Sequence, residues 1–351
     1  MSTDIELSEQ VTLAHTQAQP LRIVGGNSKS FLGNATDGDS LDVRTHTGII
    51  SYEPSELVIT AKAGTPLREI EAALHEHSQW LAFEPPHFGA DATLGGTIAA
   101  GLSGPARPWS GSARDFVLGV RCINGKGEIL KFGGQVMKNV AGYDVSRLMV
   151  GAMGTLGVLL DISLKVLPTV EQSLTLQFEL AENDLSAWLR QWSSTALPLT
   201  AACHHQDTLR LRLSGTPSSL DAAHALLGAD ARASDDQFWN DLREHRLSFF
   251  ESDKPLWRVS LQGGAQPLSL NGDCLYDWGG AQRWLLSDER ATVVRAAVEA
   301  CGGHATLFRQ ADLDAPVFHP LPTGLRDLQR RVKQAFDPAG ILNPRRFSPD
   351  W

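Results

Sequence analysis

Cysteine is scarce in this sequence and widely dispersed. The four that occur among 351 residues, Cys122, Cys203, Cys274 and Cys301, form no C-x-x-C pair, so there is no zinc or iron–sulfur signature, and the usage fits a reducing cytosol. Long apolar runs are missing too. The longest low-polarity stretch, Leu148–Leu160, is broken by Gly151, Gly154 and Gly157. It falls short of the ~20 residues that a membrane helix needs, so burial in protein is expected. Basic residues are outnumbered: 31 Lys and Arg stand against 40 Asp and Glu, a net charge of -9, with no Lys/Arg block. That balance argues against general nucleic-acid or anionic-membrane binding. The first residues, Met-Ser-Thr-Asp-Ile-Glu, show neither the positive start nor the apolar run of a secretory signal. The expectation is a cytoplasmic protein, and any membrane association would have to come through a partner.

What is present is a core-forming composition, 42% hydrophobic and 20% charged, at a length that predicts two domains at about 150 residues each. A helix is expected over Ser2–Gln17, with strands at Leu21–Val24, Gly48–Tyr52 and Leu57–Ala63. Leu67, Ile70, Ala73 and Leu74 recur at spacings of three and four and predict a helix between Pro66 and Glu76. Phe116–Ile123 and Glu128–Phe132 read as strands joined by the hairpin signal Asn124-Gly125, and Gly157–Leu167 reads as a buried strand stopping at Pro168. Beyond it, strands are expected at Leu174–Leu180, Leu209–Leu213, Leu256–Leu261, Cys274–Trp278 and Gly303–Arg309. Helices are expected near Asn183–Thr195, Ser218–Leu227, Asp235–Phe249 and Ser287–Cys301. Tryptophans such as Trp188, Trp192, Trp239, Trp257, Trp278 and Trp284 concentrate in this second half, where packing explains them.

Glycine is dense and irregularly spaced from Gly25 to Gly157, and three runs there carry chemistry. The first, Arg22-Ile-Val-Gly-Gly-Asn-Ser-Lys29, follows a strand and can aim successive backbone N–H groups at a phosphate. In a chain of charge -9 such binding must rest on local donors and Lys29. The second runs from Pro85 through Thr93-Leu-Gly-Gly-Thr97 to Asp115. Thr93 predicts an N-cap, and Gly95 and Gly96 admit a ligand to a helix start whose orphan N–H groups favour an anion. The third, Asn139–Val158, places glycines at 151, 154 and 157 on a flat backbone surface suited to a planar ring. Each run alone also reads as an ordinary turn or tight packing. Neither the Rossmann nor the P-loop pattern is present.

Together the three runs resemble the flavin domain of the vanillyl-alcohol-oxidase-type, or PCMH-type, FAD-binding family. The tail Phe336-Asp-Pro-Ala-Gly-Ile-Leu-Asn-Pro-Arg-Arg-Phe347 resembles that family's closing segment. The resemblance implies an α+β fold: a two-lobed FAD-binding domain over residues 1–168, a smaller α+β cap domain over 169–335, and a C-terminal segment, 336–351, returning to the FAD domain. Carried over by position, the FAD-binding residues are Gly25, Gly26, Asn27, Ser28, Lys29, Ala92, Thr93, Gly95, Gly96, Gly101, Ser103, Gly104, Gly111, Ser112, Asp115, Gly154, Thr155, Gly157 and Val158. Asn27 stands where glycine is common, and Asn tolerates the left-handed conformation. Ala152 and Met153 replace a common Ser-Glu pair. No His or Cys occupies the first-loop attachment position, which implies non-covalent FAD.

Within the family the sequence is most similar to FAD-binding subunits of multisubunit complexes that oxidise glycolate to glyoxylate and feed the respiratory chain. That implies a second flavin subunit and an iron–sulfur subunit as partners, and a small 2-hydroxyacid as substrate. A stand-alone FAD oxidoreductase, and a structural or electron-relay flavin subunit, stay open. The metal-binding histidine motif of larger family members is missing, and adjacent His204 and His205 would point to opposite faces of a strand, so no metal is expected. For catalysis the candidates are Tyr143, beside Asp144 in the third run, and Arg309 at the end of a strand that also holds His304. Ordinary loop-holding and surface roles compete with both. His87, beside Pro85-Pro86, reads as structural.

Overall fold

In the computed structural model, which describes residues 3–134, 143–192, 194–228, 232–233, 237–309 and 315–351, the chain opens with helix α1 (Thr3–Gln17). It buries Leu7, Val11 and Ala14, one face of the helix. β1 (Leu21–Val24) then pairs in parallel with β2 (Asp39–Asp42). The sequence reading misses β2 because Leu41 is its only apolar residue, too little for a strand pattern.

A five-stranded antiparallel sheet follows. Its strands are β3 (Ile49–Glu53), β4 (Val58–Lys62), β5 (Val117–Ile123), β6 (Ile129–Gly133) and β7 (Val158–Lys165), in the order β3-β4-β7-β5-β6. Helices α2 (Leu67–His75) and α3 (Leu94–Ala100) bury Leu67, Ile70, Leu74, Leu94 and Ile98 in the core shared with Ile59, Val120 and Ile162. Central β7 is buried almost end to end, including Asp161. His46 Nε2 lies 3.0 Å from this carboxylate and Arg121 donates to it, so the buried charge is paired.

The second unit is built on an eight-stranded sheet. It contains β8 (Gln172–Glu179), α4 (Glu182–Trp192), β9 (Leu199–His205), β10 (Thr208–Gly215), α5 (Pro217–Leu227) and α6 (Gln237–Arg243). It continues with β11 (Leu256–Ser260), β12 (Asp273–Asp277), β13 (Gln282–Leu286), α7 (Ala291–Ala300) and β14 (His304–Arg309). The order is Arg232–Ala233, β8, β10, β9, β12, β13, β11, β14. The expected helix Asp235–Phe249 is shorter, because the chain turns at His245 (φ 55°), whose ring stacks on Phe250 at 3.9 Å. Strand β13 escapes sequence reading because its Gln282 and Arg283 are polar yet buried.

The chain finally returns to the first unit through α8 (Thr323–Phe336) and the tail. Compact units comprise residues 1–103, 111–168 and 320–351, and residues 104–110 and 169–319. The return thus starts earlier than the tail motif at 336 suggests, since α8 anchors in the first core through Val332 and Phe336. The spacing of Leu325, Leu328, Val332 and Phe336 carried this helical signal, unread in the sequence.

Candidate functional site

The first glycine run leaves the end of β1 as a loop whose backbone donors are kept available. Among the described residues, the N–H groups of Gly25, Gly26, Asn27 and Ser28 have no hydrogen-bond partner. Asn27 takes the left-handed conformation (φ 55°), as its residue type permits. Gly26 is required for another reason: a β-carbon there would land on the carbonyl of Asp91, so the first two runs touch backbone to backbone. Lys29 is drawn to the same junction, with Nζ donating to the His87 carbonyl (3.1 Å) and to Ser28 Oγ (3.3 Å). His87 itself pairs with Glu71 at 3.0 Å.

The second run behaves differently from expectation. Thr93 caps α3, accepting from Gly96 N–H at 3.2 Å. However, Leu94 N–H donates to Thr65 O (2.9 Å) and Gly95 N–H to Ala63 O (2.7 Å). The helix start therefore has its first donors satisfied within the protein, and the orphan groups expected there are taken. The backbone donors left without a partner among the described residues lie in the Gly25–Ser28 loop instead.

In the third run, residues 139–142 lie outside the described residues. Met153 adopts φ 52°, strained for a side chain of this kind, and is pinned by its N–H donating to Ala99 O at 2.9 Å. Gly154 follows at φ 72°. A β-carbon there would meet the side chains of Asn343 (2.6 Å) and Ile23 (3.0 Å), which only glycine avoids. The tail locks this arrangement. Asn343 Nδ2 donates to Met153 O (2.7 Å) while its Oδ1 accepts from Ile23 N–H (2.8 Å), tying the third run to the strand that launches the first. Buried Lys333 donates to Thr155 O (2.8 Å), Leu342 O (2.8 Å) and Asp337 (2.6 Å). Burial pulls the Lys333 pKa below its ordinary value, and the adjacent Asp337 carboxylate works against that shift. Arg346 donates to the carbonyls of Asn34 (3.0 Å) and Ser30 (2.8 Å), holding the segment after the first loop.

These pieces enclose a cavity of about 330 Å³ within the first unit. Ten of the residues assigned from sequence line it: Gly25, Gly26, Asn27, Ser28, Lys29, Thr93, Gly95, Gly96, Gly154 and Gly157. The others are placed elsewhere. Ala92 is in the core, and Gly101 ends α3 with φ 63°. Ser103 Oγ accepts from Ala113 N–H at 3.0 Å. Gly104 groups with the second unit, where its carbonyl accepts from Trp278 Nε1 at 3.0 Å. At 111–115, Ser112 N–H and Oγ both donate to Asp115, a local turn lock beside Gly111. Thr155 donates to Ala152 O at 2.7 Å, and Val158 opens β7 in a core cluster.

Neither catalytic candidate lines the cavity. Tyr143 is 100% exposed, and Arg309 ends β14 in the second unit. Sequence reasoning missed Arg22, Met153, Asn343 and Arg346 as lining residues, together with an apolar wall that includes Ile23, Leu32, Val43 and Leu159. Asn343 and Arg346 sat in the recognised tail motif, so a signal existed. Arg22, whose guanidinium donates to Ser40 Oγ at 2.7 Å, had none beyond its place before the loop.

Among the described residues the lining carries three cations, Arg22, Lys29 and Arg346, and no carboxylate, against a chain charge of -9. A loop of four available N–H groups with nearby cations suits a diphosphate, and the apolar wall suits an aromatic or ribityl portion. At about 330 Å³ the cavity is at the low end for small-molecule sites of roughly 300–1,000 Å³, room for part of a dinucleotide. Comparison with known proteins agrees. The FAD binding domain family matches residues 2–133. The solved structure of p-cresol methylhydroxylase with substrate bound shares the fold at a TM-score of 0.73 and 14% identity, covering 100% of this chain and 88% of that one. Alkyldihydroxyacetonephosphate synthase aligns at a TM-score of 0.67 and 16% identity, over 97% of this chain and 74% of that one.

The fold is that of the PCMH-type flavoproteins, and the chain carries an FAD binding domain. Glycolate oxidase subunit GlcE of Escherichia coli (strain K12) is 49% identical over 97% of this chain and 96% of its own length. This chain belongs to the family of that subunit. Glycolate oxidase subunit GlcD of Bacillus subtilis (strain 168) is 29% identical over 49% of this chain and 37% of its own length. A D-lactate dehydrogenase of Archaeoglobus fulgidus is 30% identical over 50% of this chain and 39% of its own length. No helix among the described residues is long and apolar enough to cross a membrane.

Proposed function

We propose that this chain is the FAD-binding subunit of a glycolate-oxidising complex, working with a second flavin subunit and an iron–sulfur subunit. The observation that carries the reading is near full-length identity of 49% to a glycolate oxidase subunit, in a chain that keeps the phosphate-type cradle. FAD would be held by the Gly25–Ser28 N–H groups with Lys29 and Arg22 on its diphosphate, and by Ile23, Met153 and Leu159 on its apolar parts. When bound, FAD supplies two-electron acceptance, the chemistry that oxidation of a 2-hydroxyacid requires. The chain's own part is to position that group, keep water from it with the apolar wall, and balance the diphosphate charge with local cations.

A second reading, that this chain relays electrons while a companion oxidises the substrate, is favoured by the makeup of the lining. Among the described residues its polar side chains are hydroxyls, amides and cations, with no imidazole or carboxylate to take the hydroxyl proton. An anaerobic visible spectrum of the purified chain before and after adding glycolate separates the two. A flavin band that bleaches places oxidation in this chain, and one that stays oxidised assigns it the relay role. No band, even after added FAD, sinks the cofactor assignment.

A further inference from the structure

Helix α8 has a half that the rest of the fold leaves unused. Its later turns are anchored, with Val332 and Phe336 packed on the core of the first unit and Lys333 buried. Its beginning is bare: every residue from 321 to 328 is exposed. Among them are Leu321, just ahead of the helix, and Leu325 and Leu328, at 37%, 52% and 47% exposure. Within the helix Leu325 and Leu328 stand at i and i+3 on the stripe that continues inward as Val332 and Phe336, and Leu321 sits ahead of the Pro322 cap. Single exposed leucines need no explanation, but a stripe on a held helix marks an interaction site.

Charge and length say what fits it. Three exposed arginines, Arg326, Arg330 and Arg331, stand on α8 against one exposed carboxylate, Asp327, an excess of two positive charges in a chain of -9. The bare helical residues, 323–328, span about 9 Å at ~1.5 Å per residue, and Leu325 and Leu328, with Leu321 ahead of the helix, give a short apolar anchor suited to helix-in-groove docking. It offers little area to a lipid surface. We propose that the start of α8 docks into an apolar groove rimmed by carboxylates on a companion subunit, which rests on the reading of this chain as one subunit of a complex. Rim charges of this kind steer encounter, so the contact should weaken as salt rises.

The test is co-expression of the His-tagged chain with the GlcD-type flavin subunit and the iron–sulfur subunit of the same organism. The wild type is compared with the double variant Leu325→Asp/Leu328→Asp, with Arg326→Glu/Arg331→Glu, and with Leu226→Asp on α5 as a control. Both helix variants are expected to retain at least tenfold less companion subunit, with Tm and flavin absorbance of the isolated chain unchanged, while Leu226→Asp keeps it. Unchanged companion content overturns the proposal, as does a wild type that captures neither subunit. It is overturned equally if the variants abolish self-association or binding to phosphatidylglycerol vesicles while companions stay bound. Glycolate bleaching of the complex reports separately: a complex that forms without bleaching sinks the functional reading and leaves the docking intact.

Discussion

The two units keep buried charge by different means. In the first, ions are paired: Lys333 with Asp337 at 2.6 Å, and Asp161 between His46 and Arg121. In the second, buried or half-buried arginines lie over aromatic rings and reach carbonyls. Arg258 sits 5.3 Å from the Trp278 ring centroid, Arg295 5.5 Å from Trp257, and Arg212 5.4 Å from Trp239. Arg283 donates to the carbonyls of Gln266 (2.8 Å) and Ala265 (2.6 Å). Burial, and then neighbouring Arg107, pulls the Arg258 pKa down to about 10. The tryptophans of the second half thus have a use beyond filling space: they form faces on which cations rest. In the first unit the Lys333–Asp337 pair holds the third run beside the cavity, whereas the second unit sets its cations against rings and carbonyls.

The strongest test of that contrast removes one cation from each unit. Lys333→Met leaves the Asp337 carboxylate buried without its partner, an effect of about 3–5 kcal/mol. At ~2–4 °C per kcal/mol the melting transition should fall by roughly 6–20 °C, and flavin retention should fall with it because the third run loses its tether. Arg283→Met removes a buried charged donor from the Gln266 and Ala265 carbonyls, the second of which still accepts from Ser186 Oγ at 3.1 Å, costing about 1–3 kcal/mol, and should leave the flavin absorbance ratio at the wild-type value. Calorimetry and absorbance together decide, and flavin loss in Arg283→Met would break the division between frame and packing.

A smaller effect is expected from glycine exchange. Gly26→Ala forces the first run off Asp91, an overpacking of about 1–3 kcal/mol that falls on the cradle. FAD affinity by fluorescence titration should drop roughly 10- to 100-fold. Gly263→Ala in the second unit meets nothing within 4 Å and should leave FAD affinity where it is. Equal affinities in both variants would show that the close approach of the two loops does not shape the site.

Acid should separate the units more gently. Buried His245 and the more exposed His304, only partly desolvated, are both held below their ordinary value of 6.5, by desolvation first and then by nearby charges that include Arg258. The folded chain prefers these rings neutral, so their contribution is intact above 6.5 and is lost as pH falls towards the lowered values. For Asp161, burial pushes the pKa up, but hydrogen bonds from His46 and Arg121 outweigh it and hold the group below 3.8. Its stabilisation is present above 3.8 and fades only as pH drops through the folded value. Calorimetry from pH 7.5 to 5 should therefore lower the transition of the second unit before that of the first. A single transition shifting as one would contradict this.

Much of the site was legible because its signals are local. A glycine pair after a strand, an Asn able to turn left-handed, and a Thr before Leu-Gly-Gly each declare a backbone conformation within a few residues. The donors at the start of α3 could not be judged this way, since their acceptors are Thr65 and Ala63, which reach them only after folding. Strand β2 stayed hidden because Leu41 is its one apolar residue, and β13 because its polar Gln282 and Arg283 are buried by remote partners, where apolar alternation is an incomplete guide.

An α+β chain with glycine-rich loops of a kind suited to phosphate, and the motifs of an FAD-binding family, could be read along the sequence, because φ preferences, periodicity and capping are properties of neighbours along the chain. Tertiary structure alone decided which donors stay available, that Arg22 and Arg346 join Lys29 around one cavity, and that Asn343 ties β1 to the third run. Those outcomes depend on which distant groups satisfy one another when water is excluded, and no local pattern records that pairing.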